Sequence, residues 1–364
     1  MLLTHAEMGC LRLAAWCKDI PQNTSQYIGT DILSQLVHAG CLRQSKCGLS
    51  WRLTQKGTMV LERAGFVYTQ DKYYRGSGDK LIRRLKMAEI IVLLYSMGID
   101  VFMESPASQG FPTQQKLSFL PSFSLRRAKS SNLIGGTSLS GFLYAPQATF
   151  VTYYISDGGR EGIHPHAEQK AFLSEYLSCS KATSVIYTGL PDLSQLIQAV
   201  NHAAEVKFKN GAVTFKNAME MFSVPVCFVP LSIYGARQLR IMCQPDYRQR
   251  LVRALLEKDE YGSSEYLCFD AINKKHNEPF MVGLDMNLKG FDKALMTAGK
   301  QKLYIAVLDF QLETARKYLK NKNVSLYSVS TEAVEAALDL PGLPEPDFSP
   351  YQTKEGGYVN VTDF

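Results

Sequence analysis

The sequence predicts an α/β protein (α+β overall), with a small helix–hairpin–helix unit at the front and a mixed-sheet α/β domain behind it. Three observations carry this. Residues 27–65 show a helical apolar period, two short strand-like runs around a glycine turn, and a second helical period. From Gly141 onward, apolar runs of strand length alternate with amphipathic stretches of helix length, the pattern of a sheet covered by helices. At 364 residues, with 46% hydrophobic and 20% charged residues, the chain suits two or three globular domains, so disorder is not the expectation.

The first helix is expected over Thr4–Cys17, with Thr4 as its cap and Glu7 at the capping-box position. A polar stretch, Asp19–Gln26, leaves room for a short second helix. The next helix spans about Gly29–Ala39, with Thr30 as cap. Ile32, Leu33, Leu36 and Val37 share its inner face, and Asp31, Ser34, Gln35 and His38 its outer one. Gly40 ends it where a left-handed cap is wanted. Strands Cys41–Gln44 and Ser50–Leu53 follow, turning at Gly48. Thr54 then caps a helix carrying Met59, Val60 and Leu61.

This order resembles a winged helix-turn-helix, and the string Arg52-Leu53-Thr54-Gln55-Lys56-Gly57 resembles the turn from wing to closing helix in such regulators. The resemblance implies that Ser34, Gln35 and His38 meet base edges of double-stranded DNA. It places Thr30, Arg43, Lys46, Arg52 and Lys56 on phosphates. The bland reading is a winged helix used for protein contacts, with these polar residues as a solvated face.

Charge agrees with a polyanion partner. The net charge is +6, but residues 1–134 hold 17 Lys/Arg against 9 Asp/Glu while the remainder hold 23 against 25. A long helix from Asp79 to about Met97 begins with Lys80, Arg83, Arg84 and Lys86, where Arg83 and Arg84 are further candidates for phosphate contact. It ends almost wholly apolar, through Ile90–Leu94, and that half suits either burial or pairing into a homodimer. The aromatic, basic run Val67–Gly78 precedes it.

The expected organisation is a winged helix over 1–76, a linking helix over 77–104 and an irregular loop region over 105–141. An α/β domain over 142–340 and a flexible tail over 341–364 complete it. Within the loop region a sheet edge is expected near Leu117–Leu125. Strands are expected at Phe142–Tyr144, Phe150–Ile155, Ser184–Tyr187, Val226–Leu231, Tyr266–Ala271, Leu303–Asp309 and Val324–Val329. Helices are expected at His166–Ser178, Asp192–Ala204, Asp246–Lys258, Leu312–Asn321 and Thr331–Leu338. No internal repeat emerges. Eight cysteines without CxxC spacing read as buried hydrophobes in a reducing compartment, and there is neither a secretion signal nor an apolar tract long enough for a membrane span, so a cytoplasmic protein with no membrane partner is expected.

Motifs for chemistry are sparse. His166-Ala167-Glu168 resembles the first half of the zinc deaminase signature, but Asp192 and Ser194 or Gln195 stand where its cysteines belong, which leaves zinc short of ligands. Glu168-x-Lys170 matches the E-x-K of restriction-endonuclease-like cores. With Asp157 and Glu161 it forms the alternative reading, a Mg²⁺-dependent nuclease with catalytic Asp157, Glu168 and Lys170. The competing view is a helical first turn whose acids suit the helix dipole. Asp270 and Asp309, each expected to end a strand, are a third pair, and Asp309 equally suits capping the next helix. Phosphate-loop, G-x-G-x-x-G and Gly-x-Ser-x-Gly motifs are absent, so no catalytic residue, metal or cofactor is expected in the leading reading.

As a whole, the layout over residues 4–205 resembles the replication-relaxation family of plasmids and integrative conjugative elements. The resemblance is carried by the Leu3-Thr4-His5 start, the Arg52–Gly57 string and the hairpin–helix at 142–177. It implies a winged helix joined to a degenerate restriction-endonuclease-like domain, and a role in replication, transfer or transcription regulation of a mobile element, with that element's replication or transfer proteins as partners. The family's Pro-Asp before the hairpin is replaced here by Ser140-Gly141, which favours DNA binding over cleavage. The third class considered is a non-catalytic protein-interaction module.

Overall fold

A computed structural model describes residues 1–66, 78–104, 117–128, 139–155, 183–207, 222–257 and 260–363. The chain is α/β with mixed sheets and divides into two compact units, residues 1–102 with 343–364, and residues 103–342.

In the first unit, α1 (His5–Cys17) starts at Thr4, whose hydroxyl accepts the Glu7 N–H while Glu7 returns to the Thr4 N–H, the expected capping box. Strand β1 (Ile20–Pro21) leads to the short α2 (Ser25–Ile28) and then α3 (Thr30–His38). Thr30 does not cap α3. Gly29, at φ +104°, takes that position without a side-chain bond, because the single residue between α2 and α3 must turn through a backbone region open to glycine. The far end of α3 is as expected: Gly40 at φ +73° closes a Schellman motif, with Cys41 N–H on the Leu36 carbonyl and Gly40 N–H on that of Val37.

Strands β2 (Leu42–Gln44) and β3 (Ser50–Leu53) form the wing hairpin, and β1 joins them in the order β1-β3-β2. This helix–strand–helix–helix–hairpin order is compatible with a winged helix. Thr54 caps α4 (Gln55–Arg63) by accepting the Gly57 N–H, and its hydroxyl also reaches the Gly40 carbonyl. At Gly57 a Cβ would sit 2.4 Å from the Cys41 carbonyl oxygen. The Thr54–Gly57 string thus draws the start of α4 against the end of α3.

The linking helix, α5 (Asp79–Ser96), belongs to this unit and packs on α1, β1 and α2. Its residues Ile90–Leu94 are all buried, so the apolar half expected as a pairing surface is already covered. The stretch expected as a flexible tail is also tied in. Residues 350–361 bridge to residues 2–4 on both sides (Leu2 to Asn360, Thr4 to Pro350), Leu3 makes two backbone bonds with them, and Val359 and Val361 are buried. Sequence patterning could not show this, because the partners stand at opposite ends of the chain.

The second unit holds two five-stranded mixed sheets. The first runs β4 (Ser118–Pro121), β5 (Leu139–Ala145), β6 (Ala148–Tyr154), β7 (Ser184–Thr188) and β8 (Val226–Phe228), with α6 (Ser122–Ala128) after β4 and α7 (Leu193–Lys207) between β7 and β8. Helices α8 (Ile233–Met242) and α9 (Tyr247–Leu255) lead to the second sheet. That sheet comprises β9 (Tyr261–Gly262), β10 (Ala271–Asn273), β11 (Pro279–Val282), β12 (Leu303–Leu308) and β13 (Val324–Val329). Helices α10 (Leu288–Ala298) and α11 (Leu312–Tyr318) cross between its parallel strands, and α12 (Thr331–Ala337) follows β13.

Both sheets use one strand plan, two antiparallel pairings followed by two parallel ones, in sequential order. The plan recurs without a countable sequence repeat, because the connections between matching strands differ in length and content: two residues join β5 to β6, whereas α6 lies between β4 and β5. The region expected as an irregular loop contains α6 and the edge strand β4. Residues 266–270 are not a strand, and β11, α8 and α10 stand where no element was expected. The expected helix at 166–178 lies outside the described residues.

Both tryptophans, Trp16 and Trp51, lie in the first unit, so intrinsic fluorescence follows that unit's unfolding. Stopping the chain after Gly342 uncovers Leu3 and removes Val359 and Val361, a loss of at least about 2 kcal/mol. The denaturation midpoint read from tryptophan should fall accordingly, and an unchanged midpoint would contradict the tail's role.

Candidate nucleic-acid interface

On α3, Ile32, Leu33 and Leu36 are buried, which fixes the helix and turns Thr30, Asp31, Ser34, Gln35 and His38 outward. The outer face expected from sequence is therefore presented as a set. Ser34 donates its hydroxyl to the Thr30 carbonyl at 2.9 Å and keeps its acceptor side available. The adjoining hairpin exposes Arg43, Gln44, Lys46, Cys47 and Leu49. Lys56 is half-buried on α4, and Arg83 is exposed on α5.

Two of the expected phosphate contacts have another task. Arg52 donates Nε to Asp19 at 2.6 Å, and Arg84 from α5 pairs with the same carboxylate. Ser50 adds its hydroxyl at 2.7 Å. Asp19 is only 1% exposed. A carboxylate this deep is tolerated only when paired and hydrogen-bonded, and these three groups come from β3 and α5 to meet it. From the sequence, Asp19 was one acid in a polar stretch, and nothing local marked it as the centre of a node.

The cations also distribute differently from the count over residues 1–134. With the tail included, the first unit holds 14 Lys/Arg and 12 Asp/Glu. The surplus is local: residues 30–56 carry Arg43, Lys46, Arg52 and Lys56 against Asp31 alone. Cys47, at the tip, has its thiol pKa lowered, chiefly by the hydroxyl of Ser45, with backbone hydrogen bonds adding to the effect. Cys10, Cys17, Cys227 and Cys243 are buried, and burial pushes each thiol up.

The candidate catalytic groups fare otherwise. Asp157, Glu161, His166, Glu168 and Lys170 lie outside the described residues. Asp270 precedes β10 instead of ending a strand, and no bond joins it to Asp309. Asp309 does not cap the next helix, because a 3-10 turn, Asp309–Gln311, intervenes; as that turn's first residue it accepts the Phe310 N–H at 2.9 Å and the Thr331 hydroxyl at 3.2 Å.

The residue that meets Asp270 is Asp285, through Arg248, which donates 3.1 Å to one and 2.6 Å to the other. Asp270 also accepts the Val282 N–H at 2.7 Å. Burial raises its carboxyl above the usual range, and Arg248 opposes that shift. A guanidinium already stands between the two carboxylates, so this donor set fits an internal ion pair. Among the described residues no group of three or more His, Cys, Asp or Glu is placed to hold a metal ion. None of the helices described is long and apolar enough to cross a membrane.

No protein-family model, curated protein or solved structure matches the chain.

Asp19→Ala strands two arginines beside an apolar interior. The first unit should lose about 3 kcal/mol, read as a lower tryptophan denaturation midpoint. Stability within about 0.5 kcal/mol of the parent, the usual range for a surface substitution, would show that the node carries no such weight.

Proposed function

We propose that this chain binds double-stranded DNA through α3 and the β2–β3 hairpin. On the resemblance of its sequence layout to replication-relaxation proteins, it would act as a replication, transfer or transcription accessory of a bacterial mobile element. One observation carries the reading: an outward row of Thr30, Ser34, Gln35 and His38 on a rigidly seated helix, beside a hairpin whose outward cations are Arg43 and Lys46.

A helix of this kind enters the major groove, where Gln35 suits the paired donor and acceptor of adenine and Ser34 either kind of edge. Asp31, in the first turn, suits the amino group of cytosine. Arg43, Lys46 and Lys56 supply phosphate contacts. Arg52 is assigned to the Asp19 node, where it fixes the wing instead of touching the duplex. The α/β unit is assigned a scaffolding or partner-binding role. The cysteine pattern supports a reducing, cytoplasmic setting.

The test is a duplex titration over a range of salt concentrations, using sequences selected from a random pool. Arg43→Ala with Lys46→Ala should weaken binding to all sequences and reduce the slope of log K against log salt by about 0.9 per contact. Gln35→Ala should instead lower the ratio of selected to random sequence, at a cost of about 1–3 kcal/mol on the selected site. Absence of duplex binding at low salt would favour the protein-interaction class and defeat the proposal.

A further inference from the structure

The second sheet has a half-face that no helix among the described residues covers, and its chemistry is distinctive. Strands β11, β12 and β13 run parallel, so their N-terminal ends lie at one edge. The turns feeding them are Lys274–Glu278, Gly299–Lys302 and Leu319–Asn323. They contain Lys274, Lys275, Lys300, Lys302, Lys320 and Lys322, all exposed, and a single carboxylate, Glu278. Glu260, exposed beside β9, is a second acid at this edge among the described residues.

The same edge is lined with rings. Tyr304 stands in register with Phe280, and Tyr327 with Ala306, which puts all four residues on one face of the sheet. The Tyr304 and Tyr327 ring centroids are 5.7 Å apart, and Tyr327 lies 6.5 Å from Phe280. Tyr261 meets Phe280 edge-on at 6.3 Å. Lys302 holds its ammonium 5.5 Å from the Tyr304 ring centre.

Farther along this face Val282, Ala306 and Leu308 are buried in a cluster with Leu251, Val334 and Leu338, from α9, α12 and the residue after α12. Tyr261 and Tyr304 are left half-exposed, and Tyr327 is 49% exposed.

We propose that this half-face binds single-stranded nucleic acid, with bases stacking on Tyr304 and Tyr327 and phosphates following the lysine edge. The pairing of rings with cations selects the occupant. Lysines alone would suit any polyanion, but flat rings laid side by side across neighbouring strands match the faces of unpaired bases, which a duplex keeps stacked and out of reach. The site lies in the second unit and is independent of the duplex-binding surface on α3. DNA and RNA present the same phosphates and rings, and the measurement separates them.

The full chain carrying Arg43→Ala and Lys46→Ala, so that the wing contributes least, is titrated with fluorescent oligothymidylate and oligouridylate of about twelve nucleotides, within the range such sites span. A blunt duplex of equal length serves as reference. Either single strand should bind more tightly than the duplex, and the tighter of the two identifies the source. Adding Tyr304→Leu and Tyr327→Ala, with an unchanged thermal melt as the control for folding, should weaken that binding by about thirtyfold or more. Lys300→Ala with Lys302→Ala should reduce its salt slope by about 0.7 per contact. Single strands that bind no better than the duplex, or binding that ignores both tyrosines, would overturn the assignment.

Discussion

A buried carboxylate, Asp19, sets the geometry on which the first unit's surface depends. Its bonds reach Ser50 and Arg52 on the wing strand and Arg84 on α5, while its own backbone leads into β1, the strand that pairs with the wing. A lone carboxylate at that depth would cost several kcal/mol, so the wing and α5 can settle only where both guanidiniums reach it. An apolar residue of similar volume could match the node in stability, but it would not demand a particular register between β3 and α5. Thr54 and Gly57 apply a second constraint from the other side, holding α4 against the end of α3. Between the two, α3 is seated with its polar row outward.

The second unit uses buried polar groups in a similar way. Gln238 gives its amide to the carbonyls of Phe228 and Leu284, and Gln311 gives a further bond to Leu284, which joins the end of one sheet to the turn after β11 of the other. Arg248 binds Asp270 and Asp285 just beyond, and Arg237 forks onto Glu335 to tie α8 to α12. Asp270, a candidate site residue from the sequence, is thereby accounted for structurally: it and Asp285 are compensated by a cation the chain itself supplies.

What could be read from the sequence divides by the range of the interaction. The capping box at Thr4, the left-handed Gly40, the Gly48 turn and the Thr54 cap are written within a few residues of one another, and the structure places each as expected. The inner and outer faces of α3 follow from helical spacing alone. The exchange of Thr30 for Gly29 at the cap turned on how closely α2 precedes α3, which propensity does not report.

Asp19 illustrates the opposite case, since Arg52 and Arg84 look the same in sequence whether they face solvent or a buried acid. The strapped tail required contacts between residues more than 340 positions apart. The short β11 offered three apolar residues behind a proline, too few to set a period. Of the candidate interface, the residue types and their outward face were legible, but the assignment of Arg52 and Arg84 to the interior was not.

The most direct measurement of the central claim is hydrogen–deuterium exchange on the full chain, with and without a tightly bound duplex. Slower exchange in peptides covering residues 30–38 and 42–53, with residues 303–308 unaffected, is the predicted result. Protection absent from both of those segments while the duplex is bound would contradict the account.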